Sequence, residues 1–106
     1  MSGTSLDAVD GCLLAMTDPA RMQGTDAATP MRQLAFASRS MPPALRAELL
    51  ALNTPGDNEL HRAALAANAL MDLYAEVTEA LCTQAAVQPI QIAVIGAHGQ
   101  TVRHRP

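Results

Sequence analysis

The sequence predicts an α/β layer fold, and three observations carry that reading. Short apolar runs occupy residues 11–16 and 31–40, two helical apolar patterns follow between Pro42 and Gln88, and a β-branched run fills Ile90–Ile95. Strands followed by helices and then a further strand bury their apolar faces best as a sheet with helices packed against it. The 106 residues fit one domain, without internal repeats or low-complexity tracts.

Each element has a local signature. The first ten residues, MSGTSLDAVD, set small polar groups and two carboxylates around Gly3, which reads as a tight loop. Gly11-Cys12-Leu13-Leu14-Ala15-Met16 suits a short buried strand and stops at Thr17-Asp18-Pro19, and residues 20–30 read as an exposed turn or hairpin tip. Met31 to Ser40 reads as a second strand ended by Pro42-Pro43. Those prolines also suit the first turn of a helix in which Leu45, Leu49 and Leu52 repeat until Asn53 and Pro55.

A longer helix is expected to begin near Asp57, where Asp57 and Glu59 put negative charge at the positive end of the helix dipole. Its expected apolar stripe is Leu60, Ala64, Ala67, Leu70, Tyr74, Val77 and Leu81, with the exit at Gln88-Pro89. Ile90-Gln91-Ile92-Ala93-Val94-Ile95 then reads as a central strand leading into Gly96-Ala97-His98-Gly99-Gln100-Thr101.

Composition narrows the function classes. Hydrophobic residues make up 49% of the chain, but 21 of them are Ala, so large core side chains are scarce and an isolated fold is expected to be marginal. A net charge of -3 with seven dispersed basic residues argues against nucleic acid or anionic membrane as partner and favours a small molecule. Cys12 and Cys82 have no CxxC spacing and read as buried free thiols. No charged segment precedes an apolar one at the start, and no window approaches the roughly 18 apolar residues of a membrane span, so a cytoplasmic protein is expected.

Two polar loops carry the candidate chemistry. Phosphate oxygens are held by backbone N–H groups that small residues allow to come close, with hydroxyls as extra donors, and Gly3, Thr4 and Ser5 meet that need. Asp7 and Asp10 suit the Mg²⁺ that accompanies nucleotide phosphates. On the residues alone, ordinary turn chemistry is the favoured reading, because neither GxxxxGK[ST] nor GxGxxG is present. In the second loop, His98, Gln100, Thr101, Arg103 and His104 follow the expected central strand, at the edge where open α/β sheets bind ligands. Contacts to sugar hydroxyls and a solvated basic connection both remain open there.

The strings MSGTSLDAVDG and IGAHGQTVRHRP together resemble two segments of the anhydro-N-acetylmuramic acid kinase family, in the same order and with a helical stretch between them. The resemblance spans the chain. It implies part of the N-terminal lobe of an actin-like, ribonuclease-H-like sugar kinase fold, with strands followed by two helices and a further central strand. Residues 1–106 are then an incomplete lobe containing the phosphate-binding loop, and the second lobe is absent.

The implied activity is ATP-dependent opening of 1,6-anhydro-N-acetylmuramic acid with water, giving N-acetylmuramic acid 6-phosphate in peptidoglycan recycling. Gly3, Thr4, Ser5, Leu6, Asp7, Ala8, Val9 and Asp10 correspond to the family's phosphate loop; within it Asp7 and Asp10 are expected to hold Mg²⁺ by their carboxylate chemistry, and His98, Gln100 and Thr101 are assigned to sugar contacts. The family's catalytic base lies in a later Asp-Phe-Arg segment, so no catalytic residue is assigned here and the isolated chain is expected to be inactive. The resemblance leaves a homodimer of the full-length protein open.

One departure stands out, Ala8 where the family loop usually has Gly, strained if the position needs positive φ and harmless if it needs only a small side chain. The competing readings are another actin-like sugar kinase and a non-catalytic interaction module that docks through the 57–86 helix.

Overall fold

The computed structural model describes residues 6–16, 31–97 and 99–103. Strand β1 (Ala8–Met16) pairs antiparallel with strand β2 (Met31–Ser40) in a two-stranded sheet. The register sets Val9 opposite Arg39, Gly11 opposite Ala37 and Leu13 opposite Ala35, with Asp10 opposite Ser38 and Cys12 opposite Phe36 between them; an irregularity follows between Leu13 and Leu14. Side chains alternate across a strand, so one face carries Val9, Ala35 and Ala37 into the core while Asp10, Cys12 and Phe36 face outward.

Helix α1 (Pro43–Ala51) starts where the sequence predicts. Pro43 fills the first turn, where no backbone donor is needed, and Leu45 and Leu49 turn inward. Helix α2 (Glu59–Ala85) is the long element, 27 residues, and packs against both strands and α1. Its C-terminus is closed by Val87 N–H donating to the Cys82 carbonyl at 3.0 Å, with Ala86 in the left-handed conformation at φ 55°. That is a Schellman closure in which Ala occupies the place usually given to Gly.

The contact between α2 and the sheet is made by small residues. A Cβ placed on Gly11 would lie 2.6 Å from Val77 Cγ1 and 3.1 Å from Leu81 Cδ1, so the helix rides directly over the bare backbone of β1. On α2, Gln84 reaches the sheet edge and accepts a hydrogen bond from the Phe36 amide at 3.3 Å. An edge amide that would otherwise face solvent is thereby covered.

Four expectations need correction. Residues 8–10 belong to β1 and are not part of a loop. Their pairing to β2, including the Ser38 Oγ bond to Asp10 at 2.6 Å, overrides the weak strand preference of Asp. The buried stripe of α2 is Ala66, Leu70, Leu73, Val77 and Leu81, with Tyr74 half-buried, whereas Leu60, Ala64 and Ala67 are exposed. The buried positions follow steps of four, three, four and four along one helical face that meets both α1 and the sheet, and the expected residues at the N-terminal end lie off that face.

The expected central strand over residues 90–95 does not form. Pro89–Gln91 is a single 3₁₀ turn, held by Gln88 and Gln91 side chains that cap each other's backbone, and residues 92–97 have no regular structure. Among the described residues no strand lies beside the run to receive its backbone bonds, and Ile90 (93%) and Val94 (78%) stand exposed. Finally, Cys82 is a buried free thiol as expected, but Cys12 is exposed because it sits on the outer sheet face. The expected turn over residues 20–30 lies outside the described residues. Among the described residues no helix is long and apolar enough to cross a membrane.

Two substitutions test this packing in opposite directions. Gly11→Ala is expected to destabilise the chain by about 1–3 kcal/mol, because Val77 has one strongly preferred helical rotamer and cannot swing aside. Ala86→Gly is expected to stabilise it by up to about 1 kcal/mol, relief of left-handed strain exceeding the added flexibility of the unfolded chain. Denaturant unfolding followed by circular dichroism reads both, and an unchanged midpoint for Gly11→Ala contradicts the close approach.

Candidate functional site

The first candidate loop enters the fold through a strained turn. Leu6 is 3% exposed and adopts φ 56°, a left-handed conformation that a bulky residue takes at a cost of about 1–2 kcal/mol. Burying a leucine side chain stabilises by a similar or larger amount, about 1.5–3 kcal/mol, so the core holds the strained backbone in place. Gly3, Thr4 and Ser5 lie outside the described residues.

Beyond Leu6 the chain is tied down quickly. The Asp7 carbonyl accepts from the Met41 amide at 3.0 Å, which joins the start of β1 to the junction between β2 and α1. The Asp7 carboxylate stands 3.9 Å from Arg46 of α1, and both side chains are well exposed, so this ion pair orients more than it stabilises. Ala8 and Val9 pair with Ser40 and Arg39, Val9 is buried, and Asp10 accepts from Ser38 on the exposed face. Ala8 has no positive φ, so the strain that would have penalised Ala at this position is absent.

Two exposed or partly exposed carboxylates three residues apart supply the hard oxygen ligands that Mg²⁺ prefers. Among the described residues no cluster of three or more His, Cys, Asp or Glu side chains forms a closed metal cage. The two carboxylates meet different elements, Asp7 facing Arg46 of α1 and Asp10 accepting from Ser38 on the outer sheet face.

The second candidate loop is held by the other end of α2. Arg103 Nη2 donates to Glu59 Oε1 at 2.8 Å, and the same oxygen accepts from the Gly56 amide at 2.7 Å. Gly99 turns at φ 74°, Val102 packs against the core, and Gln100 Nε2 donates to the Thr101 carbonyl at 3.2 Å. Among the described residues Gln100 Oε1 is buried without a hydrogen-bond partner, and Thr101 is exposed. His98 and His104 lie outside the described residues.

The hydrogen bond from Arg103, followed by that from the Gly56 amide, holds the Glu59 carboxyl below the usual carboxylate range, with a small opposing push from burial. Glu59 was legible in the sequence only as a favourable charge at a helix N-terminus. Its partner lies 44 residues away, a separation that no periodicity or short motif reveals.

A groove of about 520 Å³ runs between α1 and α2, lined by Pro42, Leu45, Leu65, Ala66, Ala69 and Leu73 and bordered by Glu48, Asp72 and Glu76. Its one cation, Arg62, already donates to Glu48. Three carboxylates around an apolar floor repel a nucleotide's phosphates, so the polar loops and not this groove are the candidate site.

Over residues 1–106 the chain matches the family described as anhydro-N-acetylmuramic acid kinase. Among curated proteins, it is 56% identical over its whole length to a protein named anhydro-N-acetylmuramic acid kinase from Variovorax paradoxus, of which it covers 26%. Proteins of the same name from Bordetella pertussis and Ralstonia nicotianae are 54% and 49% identical over the whole chain. The chain spans about a quarter of the length of these curated relatives.

The Glu59 ion pair yields a titration with a defined sign. A folded-state pKa held low means that the pair's contribution is complete above the ordinary glutamate range, about 4.3, and is lost as pH falls below it. In a carboxyl-detected NMR titration, Arg103→Ala is expected to raise the Glu59 pKa toward the ordinary value. An unchanged Glu59 titration in that variant would mean that the ion pair does not form in solution.

Proposed function

The chain belongs to the anhydro-N-acetylmuramic acid kinase family, and from that membership we propose that it is the phosphate-gripping part of an ATP-dependent sugar kinase. The observation that carries the reading is the match across all 106 residues, which includes both polar loops. In this reading residues 1–106 form an incomplete N-terminal lobe of an actin-like kinase, and ATP lies between that lobe and a second one contributed by further chain. The protein acts in the cytoplasm.

The reaction proposed for the full-length protein opens the 1,6-anhydro bridge of anhydro-N-acetylmuramic acid. Water adds at the anomeric carbon and gives its proton to a base outside these residues. The freed sugar oxygen takes the terminal phosphoryl group of ATP, and ADP leaves. Residues Gly3 to Asp10 cradle the phosphates, backbone amides of Gly3, Thr4 and Ser5 supplying donors where charge develops. Asp7 and Asp10 are the carboxylates that would hold Mg²⁺, which would supply positive charge to the phosphates. His98, Gln100 and Thr101 contact the sugar.

The geometry of the described residues supports this assignment without reaching the reacting atoms. A buried, strained Leu6 directly after the Gly-Thr-Ser stretch is the kind of outlier that accompanies a preorganised ligand loop. Asp10 sits exposed on the outer sheet face, where it accepts from Ser38, while its neighbours Val9 and Gly11 face α2.

Calorimetry and turnover test the proposal together. A full-length protein carrying this region is expected to bind Mg-ATP, and Gly3→Val, which crowds the amides around the phosphates, is expected to abolish the binding heat. Residues 1–106 alone are expected to turn over the anhydro sugar at least about a hundred-fold more slowly than the full-length protein, since general-base assistance alone contributes about that much. Mg-ATP binding that survives Gly3→Val unchanged rules out the phosphate-loop assignment.

A further inference from the structure

The segment after Gly96 is fastened at one charged point. Arg103 reaches back to Glu59, the first residue of α2, and Glu59 Oε1 is simultaneously fixed by the Gly56 amide in the α1–α2 connection. Both side chains are about one-third exposed, 34% for Arg103 and 32% for Glu59, so the pair is neither buried for stability nor fully solvated. Between this anchor and the turn at Gly99 lie Gln100, whose buried side-chain Oε1 has no hydrogen-bond partner among the described residues, and Thr101, with an exposed side chain. A buried acceptor without a donor marks a place where a ligand hydroxyl or water completes the bonding.

We propose that Glu59 is a positioning residue for sugar binding: through Arg103 it holds the 99–103 segment in the orientation that presents Gln100 and Thr101 to the substrate. The inference rests on the reading of that segment as the sugar-contacting one. Glu59 itself touches no substrate. Its carboxylate is preset by the helix start and the Gly56 amide, so Arg103 closes onto an acceptor that is already fixed. Val102 packs against the core beside this anchor, so the ion pair and that contact together set the direction of the segment.

Steady-state kinetics of a full-length kinase carrying this region separate positioning from simple stability. Glu59→Gln keeps the oxygen that accepts from Gly56 and removes only the charge that Arg103 seeks. That variant and Arg103→Gln are each expected to raise the KM for the anhydro sugar by roughly three- to ten-fold, with the KM for ATP and the melting temperature nearly unchanged. An active wild type whose sugar KM is indifferent to both single changes overturns the inference alone, as does an equal rise in both KM values with a lowered melting temperature. A wild type that binds Mg-ATP but never turns over the sugar overturns the underlying reading and the inference with it.

Discussion

The close approach of α2 to β1 at Gly11 governs the rest of the molecule. Val77 and Leu81 rest over a position without a side chain, and Ala35 and Ala37 on the paired strand are small enough to leave the helix room. That geometry also fixes which way the neighbouring residues point. With Val9 and Gly11 turned toward the helix, Asp10 must face outward, and a one-residue slip in register would bury its carboxylate. The packing of the core thus determines the exposure of a candidate ligand.

Much of this was legible in local pattern. Met31–Ser40, Pro43–Ala51 and the C-terminal half of α2 lie where strand alternation, proline placement and helical spacing put them. Two of the failures depended on a partner distant in sequence, whereas the α2 stripe was misphased locally at its N-terminal end. Ala8–Asp10 extends β1 because β2 is there to receive it. Conversely, Ile90–Ile95 has the composition of a strand and no strand beside it among the described residues. Of the candidate site, the two polar loops were visible as strings, whereas the link between Glu59 and Arg103 was not.

The two loops hang from different elements, yet a series of polar links connects their supports. Asp7 faces Arg46 on α1, Glu48 of α1 accepts from Arg62 of α2, and Glu59 at the start of α2 accepts from Arg103. Arg62 Nη1 also donates to the Asp57 carbonyl at 3.1 Å, tying α2 to the connection before it. Exposed ion pairs contribute little to stability individually. Their effect is on placement, since each joins one rigid element to the next and none lies in the apolar groove floor.

The loop's departure from its family pattern illustrates why strain must be located before it is assigned. The resemblance led to the expectation of Gly at the position of Ala8, and a glycine preference invites the expectation of positive φ there. Ala8 is an ordinary strand residue opposite Ser40, so its methyl group costs the backbone nothing. The left-handed residue is Leu6, two positions earlier. Glycine at that site would relax the backbone but surrender a side chain that is almost wholly buried in the core. The core contribution of leucine is at least comparable to the strain, and this balance explains how a bulky residue can occupy the tightest point of a loop that the fold needs held still.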